Sequence, residues 1–258
     1  MKKNKILLFI GIALLLISTS CASKKGYNYY QNIEEVVNAV NEQKYQTAIH
    51  PDDLLMITVM GIDPEVTAPF NQSTNGNISS MRLGNESVPM NSYLVDAAGE
   101  ISFPMVGKMK LAGLSREQAV TTIKEALKKY IKDPEINLRI LNYKITVQGE
   151  VNRPGVFPIN SERITLPEAL SMAGDLTGYG KRNNILVIRD NGGKKEMARV
   201  DITQADFLNS PYYYLAQNDV IYVEPNKTRI NASAVGPNTS IIISSLSLLL
   251  TVIALIIR

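Results

Sequence analysis

The sequence predicts an α+β chain held between two apolar ends. Three observations lead there. Short runs of alternating apolar residues are punctuated by Gly and Pro, two helical stretches each open on a capping box, and uncharged apolar stretches stand near both termini. Charge excludes one class of partner at once. The 27 basic and 24 acidic residues leave a net +3, and Lys2, Lys3 and Lys5 account for all of it, since residues 1–20 hold no acid. The remainder is balanced, so no basic field for DNA or RNA exists.

The first element is a secretion signal over 1–20. Three lysines precede the apolar run Ile6 to Ile17, and Ser18-Thr19-Ser20 lead into Cys21. The run is shorter than a spanning helix. Cys21 is the only cysteine, so it cannot close an intrachain disulfide. Its position resembles the lipid-modified cysteine of bacterial lipoproteins, although Ser18 stands where that pattern prefers Leu. No Asp follows the cysteine, which by the same resemblance implies outer-membrane sorting. A single lipidated residue tethers a chain and does not span a bilayer.

Residues 21–47 read as a polar linker with a short helical pattern at Ile33, Val36, Val37 and Val40. Pro51-Asp52-Asp53 then turns the chain into a strand over Leu54 to Val59. His50 is the only histidine, and neither a nucleophile nor a metal-ligand cluster accompanies it. Residues 61–92 carry Pro64, Pro69, Pro89 and an Asn/Ser-rich run, and read as a flexible insertion. Next, Tyr93 to Asp96 and Glu100 to Pro104 read as a hairpin about Ala97-Ala98-Gly99. Ser115 with Gln118 opens a helix whose Ala119, Ile123, Ala126, Leu127 and Tyr130 share one side. Asp133-Pro134 stops it, and Glu135 to Ile140 alternates as a strand.

A strand over Lys144 to Gln148 breaks at Gly149, and Pro154-Gly155 reads as a turn before the chain extends again. Thr165 with Glu168 opens a second helix, with Leu166, Ala169, Leu170 and Ala173 inward and Gly174 at its end. Asn184 to Arg189 and Glu196 to Val200 pair around Asn191-Gly192-Gly193, which lacks the context of a dinucleotide loop. Tyr212-Tyr213-Tyr214 read as strand residues on both faces, open to a subunit partner, to sugar or to the core. Val220 to Val223 forms the last strand.

The end is a candidate transmembrane helix over 239–258. Ser240 to Ile257 holds no charge, and eighteen residues at ~1.5 Å each reach roughly 27 Å, near the bilayer core. Ser240, Ser244, Ser247 and Thr251, continued by Ala254 and Arg258, are spaced four or three apart and fall on one narrow face. In lipid such a face favours close helix packing or a water-lined wall. These four are candidate pore-lining residues; hydropathy alone fits a plain anchor equally.

Two motifs in series resemble one family. Asp96-x-x-Gly99-x-Ile101-x-x-Pro104-x-x-Gly107, the capped helix and Asp133-Pro134 resemble the polysaccharide export domain. Gly149-x-Val151-x-x-Pro154-Gly155, the second capped helix, Val187-Ile188-Arg189 and Asn218-Asp219-Val220 resemble the SLBB domain, a β-grasp module that follows it in outer-membrane polysaccharide export proteins. Asp52 departs from the pattern, since the family places Gly in that turn. The resemblance implies an α+β architecture: an export-type α/β domain at 48–142, an SLBB β-grasp domain at 143–226, a linker at 227–238 and the C-terminal transmembrane helix. It further implies a lipoprotein of the outer membrane with most of its mass in the periplasm. Copies would close into a homo-oligomeric ring that conducts capsule or exopolysaccharide, docked on an inner-membrane polysaccharide copolymerase or tyrosine autokinase. The alternative is a polysaccharide-binding scaffold anchored at both ends without a pore. No enzyme site, cofactor or metal set is read from the residues.

Overall fold

Two clusters of buried apolar side chains organise the chain. The computed structural model describes residues 26–36, 48–71, 80–83, 86–89 and 92–234, and of the C-terminal stretch 241, 244, 245, 247–249, 251 and 252.

The first cluster is built by β1 (Leu54–Met60), whose inward Leu55, Ile57 and Val59 alternate with outward residues. A short α1 (Ile33–Val36) precedes it. After β1, within the 61–92 stretch expected as a flexible insertion, the described residues form α2 (Pro64–Thr67), a 3-10 turn at Ala68–Phe70, and a pair of β2 (Ser80–Leu83) with β3 (Glu86–Pro89). Asp63 caps α2 by accepting from Glu65 N at 2.9 Å. Asn71 stands in for a missing strand, since its amide takes up both backbone groups of Val59 at 2.8 and 2.7 Å.

β4 (Ser92–Leu94) pairs with β1, whereas β5 (Glu100–Phe103) pairs with β6 (Gly107–Lys110). The hairpin expected across Ala97-Ala98-Gly99 therefore does not form. Asp96 does make that turn, accepting from Ala98 N and Glu100 N at 2.9 and 2.8 Å, but the strands diverge into separate sheets. α3 (Arg116–Leu127) closes the unit behind its Ser115/Gln118 capping box, and β7 (Glu135–Ile140) completes the order β4-β1-β7.

The second unit is a five-stranded sheet, β12-β11-β14-β8-β9. Its strands are β8 (Lys144–Gly149), β9 (Gly155–Pro158), β11 (Gly180–Asn191), β12 (Lys194–Val200) and β14 (Val220–Pro225). β8 and β14 are parallel neighbours. The small pair β10 (Ile164–Thr165) and β13 (Tyr214–Leu215) flanks it. α4 (Leu166–Met172) opens on the Thr165/Glu168 capping box, and Leu166, Ala169, Leu170 and Ala173 enter the second core cluster. The tyrosine run does not lie along a strand. Only Tyr214 is in β13, while Tyr212 and Tyr213 pack partly buried against the core, so the core reading prevails.

Both presumed connectors carry structure. Tyr30 N and Gln31 N bond to Ile202 O and Thr203 O, and Tyr29 and Tyr30 pack on the second core, so residues 26–36 dock on that unit. The 227–238 linker begins as α5 (Lys227–Ala234), capped by Asn226 Oδ1 accepting from Arg229 N at 3.0 Å. Among the described residues no helix is long and apolar enough to cross a membrane. The expected transmembrane helix over 239–258 lies largely outside them.

Gly149 sits at φ +89°, and a Cβ there would stand 2.1 Å from Val223 O. Gly155, read as a turn glycine, instead opens β9 without a positive φ, and a Cβ would meet nothing nearer than Phe157 Cζ at 4.0 Å. Gly149→Ala should therefore cost more than about 1 kcal/mol, while Gly155→Ala stays within about 0.5 kcal/mol. Thermal melting of the two variants side by side checks this, and equal losses would refute the assignment.

Candidate functional site

The Gly149–Gly155 stretch acts as a clip. Positive φ at Gly149 lets Glu150 N continue onto Val223 O at 2.9 Å, and Val151, buried, bridges to Leu176. Asn152 N and Arg153 N then bond to Asp175 O and Ala173 O at 3.0 and 2.8 Å. The Arg153 guanidinium donates to Met172 O at 2.9 Å, so a cation meets the carbonyl end of α4. Pro154 is exposed and precedes edge strand β9. The motif's backbone thus binds helix to sheet, and it offers no reactive group.

The two units join through amides. Asn142 Oδ1 accepts from Leu54 N at 2.9 Å and its Nδ2 donates to Asp52 O at 2.8 Å. Gln217 Nε2 donates to Asn142 O at 2.8 Å, and its Oε1 accepts from Lys144 N at 2.9 Å. Asp52 takes φ +69°, the conformation for which the resemblance expects Gly, and Asp is among the few residues that tolerate it. Behind this joint Asp219, wholly buried, pairs with Arg189 Nη2 at 2.7 Å and accepts from Ala216 N at 2.8 Å. Burial pushes the Asp219 carboxyl up despite the Arg189 guanidinium, and burial likewise raises Asp53 against the His50 N–H that it accepts. His50 is half-buried, and its Nδ1 has no hydrogen-bond partner among the described residues.

The opposite end of the sheet brings the segments at Tyr27 and at Asn226 onto the turn Thr177 to Arg182. Arg182 is buried, donates from Nη1 to Thr177 O and Gly180 O at 3.3 and 3.2 Å, and lies 4.2 Å from the Tyr27 ring centroid. Tyr29 donates to Asp175 Oδ1 at 2.7 Å, and burial with that bond drives its hydroxyl pKa far up. From the other terminus, Asn226 N bonds to Tyr179 O at 2.7 Å, and Arg229 stands over the Tyr179 ring at 5.7 Å. Glu224 draws hydrogen bonds from Arg199 and Lys181 at 2.7 and 3.0 Å, which hold its carboxyl down at about 2.

A cleft of about 780 Å3 runs between the units, lined among others by Arg116, Arg139, Arg163, Glu117 and Glu162. Its size suits a small ligand, but Arg116 already pairs with Glu162 at 3.2 Å and Arg163 lies over Tyr214. Among the described residues no group of His, Cys, Asp and Glu could hold a metal ion.

Comparison with known proteins now bears on these units. Residues 41–141 match the family "Polysaccharide biosynthesis/export protein", and residues 143–223 match the SLBB domain. The chain belongs to the polysaccharide export family. It is 31% identical over 196 residues to the EPS I polysaccharide export outer membrane protein EpsA of Ralstonia solanacearum, covering 72% of this chain and 51% of that one. The protein of the same name from Ralstonia nicotianae is 28% identical over 194 residues, covering 72% and 50%. The chain spans about half the length of these curated relatives.

Within this export-family chain, the site residues named from sequence are scattered. Cys21 and Ser240 lie outside the described residues. Ser244, Ser247 and Thr251 are helical and exposed. Ser247 and Thr251 donate to the carbonyls of Ser244 and Ser247, each at 2.8 Å, so these hydroxyl protons are satisfied inside the helix. The convergence at Thr177 to Arg182 carries no local signal in the sequence, because nothing joins Tyr27 to a turn 150 residues on.

Arg189→Met should cost about 3–5 kcal/mol by stranding a buried carboxylate. Adding Asp219→Asn should recover part of that loss in thermal melts, and no recovery would argue against the charge as its cause. Glu224 gives a pH signature. Its folded value lies below the ordinary 4.5, so its contribution is full above that pH and fades as pH falls through about 2. The gap in melting temperature between wild type and Glu224→Gln should close over that window.

Proposed function

We propose that this chain is a subunit of an outer-membrane polysaccharide export channel, tethered by lipid on Cys21 and by its C-terminal apolar stretch. One observation carries the reading. The segment at Tyr27 and the start of the helix Lys227–Ala234 both contact the SLBB domain at the Thr177 to Arg182 turn, so anchors beyond them would reach one bilayer. The described residues of the last stretch suit such a bilayer, since Ile241, Leu248, Leu249 and Val252 are exposed apolar side chains. The names of the Ralstonia relatives supply polysaccharide export and the outer membrane as the setting.

In this reading copies form a ring, the hydroxyl row lines its lumen, and most of the chain lies in the periplasm. The export domain's far end would then meet the inner-membrane polysaccharide copolymerase. It carries Ile62 at 92% exposure, with exposed Met105 and Tyr130 joined by a hydrogen bond from Tyr130 Oη to Met105 O. A second reading, a scaffold anchored at both ends without a pore, draws on the internally satisfied hydroxyls, which sit in lipid as readily as beside water.

Planar-bilayer recording separates the two. A channel gives discrete conductance steps, tolerates Ser247→Asp with altered conductance, and loses insertion on Leu249→Asp, at about 2.5–3.5 kcal/mol for a charge facing lipid. Equal damage from both substitutions, with no conductance, leaves only the scaffold. Fatty-acid labelling that persists in Cys21→Ala would remove the lipid tether from either reading.

A further inference from the structure

The corner where Tyr27 and the segment from Asn226 to Arg229 meet the Thr177 to Arg182 turn has the composition of a membrane interface. Tyr27 and Tyr179 stand 56% and 44% exposed, each against an arginine, Arg182 and Arg229 respectively. Amphipathic aromatic rings of this kind concentrate at headgroup level. The charges at the corner are sorted by depth. In the pair of Arg229 with Glu150 the cation is 56% exposed and the carboxylate 16%. Lys181 and Arg199 share the recessed Glu224 in the same way, both more exposed than their partner. Lys227 and Arg153 add exposed cations on neighbouring segments. In each of these three pairs the cation stands further out than its acid.

Its place in the molecule fits that composition. β8 and β14, six residues each, run parallel and pair over four of them, about 13 Å. The amide joint to the export domain lies at their Lys144 and Val220 end, and the Tyr27–Tyr179–Arg229 corner at their Gly149 and Pro225 end. Length of chain points the same way, since Cys21 precedes Tyr27 by six residues and Lys24-Lys25 lie between them.

We infer that this corner of the SLBB domain seats directly on anionic phospholipid, its cations on the headgroup phosphates and Tyr27 and Tyr179 at the interface. The inference rests on the membrane-tethered reading above and extends it, because tethers alone require no contact between the folded domain and the lipid. Juxtamembrane cations gain from a negative surface within about a Debye length, and a lipid anchor gains firmness from a second, basic signal. Contact at the corner would also set the angle at which the domain stands on the bilayer.

The chain has no tryptophan, which makes single reporters clean. Full-length, lipidated protein carrying Tyr179→Trp, Tyr27→Trp or, at the far end of the export domain, Tyr130→Trp is reconstituted into vesicles of phosphatidylethanolamine with or without phosphatidylglycerol. The vesicles contain headgroup-proximal brominated lipid as quencher. The expected result is several-fold stronger quenching at Tyr179→Trp and Tyr27→Trp than at Tyr130→Trp. That quenching should depend on phosphatidylglycerol, weaken in 1 M salt, where the Debye length is about 3 Å, and fall by more than half in a Lys227→Gln/Arg229→Gln background. Flotation with the vesicles but equal quenching at all three reporters overturns the lipid contact and leaves the tethers standing. Failure to float at all overturns the tethered reading, and with it this one. Quenching indifferent to phosphatidylglycerol but relieved by added acidic polysaccharide would assign the corner to glycan instead and also overturn it.

Discussion

The parallel pairing of β8 with β14 governs what the rest of this chain can do. Its register, Val220 to Thr146 through Val223 to Gly149, is closed at one end by Asn218 N on Lys144 O and at the other by Glu150 N on Val223 O. Parallel strands cannot be joined by a tight turn, and the long crossover between them contains β9, α4, β11 and β12. Because the two strands run the same way, one end of the pair serves the export domain and the other receives the segments at Tyr27 and Asn226. Asp219 sets the first end. Its buried carboxylate ties Arg189 and the Ala216 amide, while Gln217 beside it reaches into the joint. Gly149 sets the second, since any side chain there would collide with the Val223 carbonyl.

What could be read from sequence was local. Both capping boxes formed with the residues that announced them, because a Ser or Thr and a Gln or Glu three residues on satisfy each other without help from the rest of the chain. Strands with strict alternation, such as Leu54–Met60, also declared themselves. Pairing partners did not. Tyr93 and Glu100 flank a good turn, yet β4 joins β1 and β5 joins β6, since burial of Tyr93 and Phe103 in one cluster decides and no turn signal encodes it. The Pro154-Gly155 pair misled for a related reason. The chain had already reversed at Asn152 and Arg153 under the pull of the α4 carboxyl end, so Gly155 was free to be an ordinary strand residue.

The candidate site divides along the same line. The SLBB signature could be found from its own residues, although its service as a clip on α4 could not. The contacts of Tyr27 with Arg182 and of Arg229 with Tyr179 join segments far apart in the chain, and composition alone cannot report them. Asp52 shows the reverse case. At the turn before β1, where the family pattern has Gly, Asp52 itself holds the left-handed conformation, and Asn142 and Val95 secure it from both sides.

The arrangement of β8 and β14 also has a mechanical meaning. The export domain enters the sheet at the start of β8, and the chain leaves toward its C-terminal end from the finish of β14. A force drawing those two attachments apart pulls the strands past each other along their length. Every hydrogen bond in the register then bears load together, and rupture requires all of them to yield at once; peeling from one edge would need only the first to fail. Had the two strands been antiparallel, both attachments would lie at one end of the pair and the same tension would unzip it bond by bond. Tension between the two attachments is thus carried along the stiff axis of this domain.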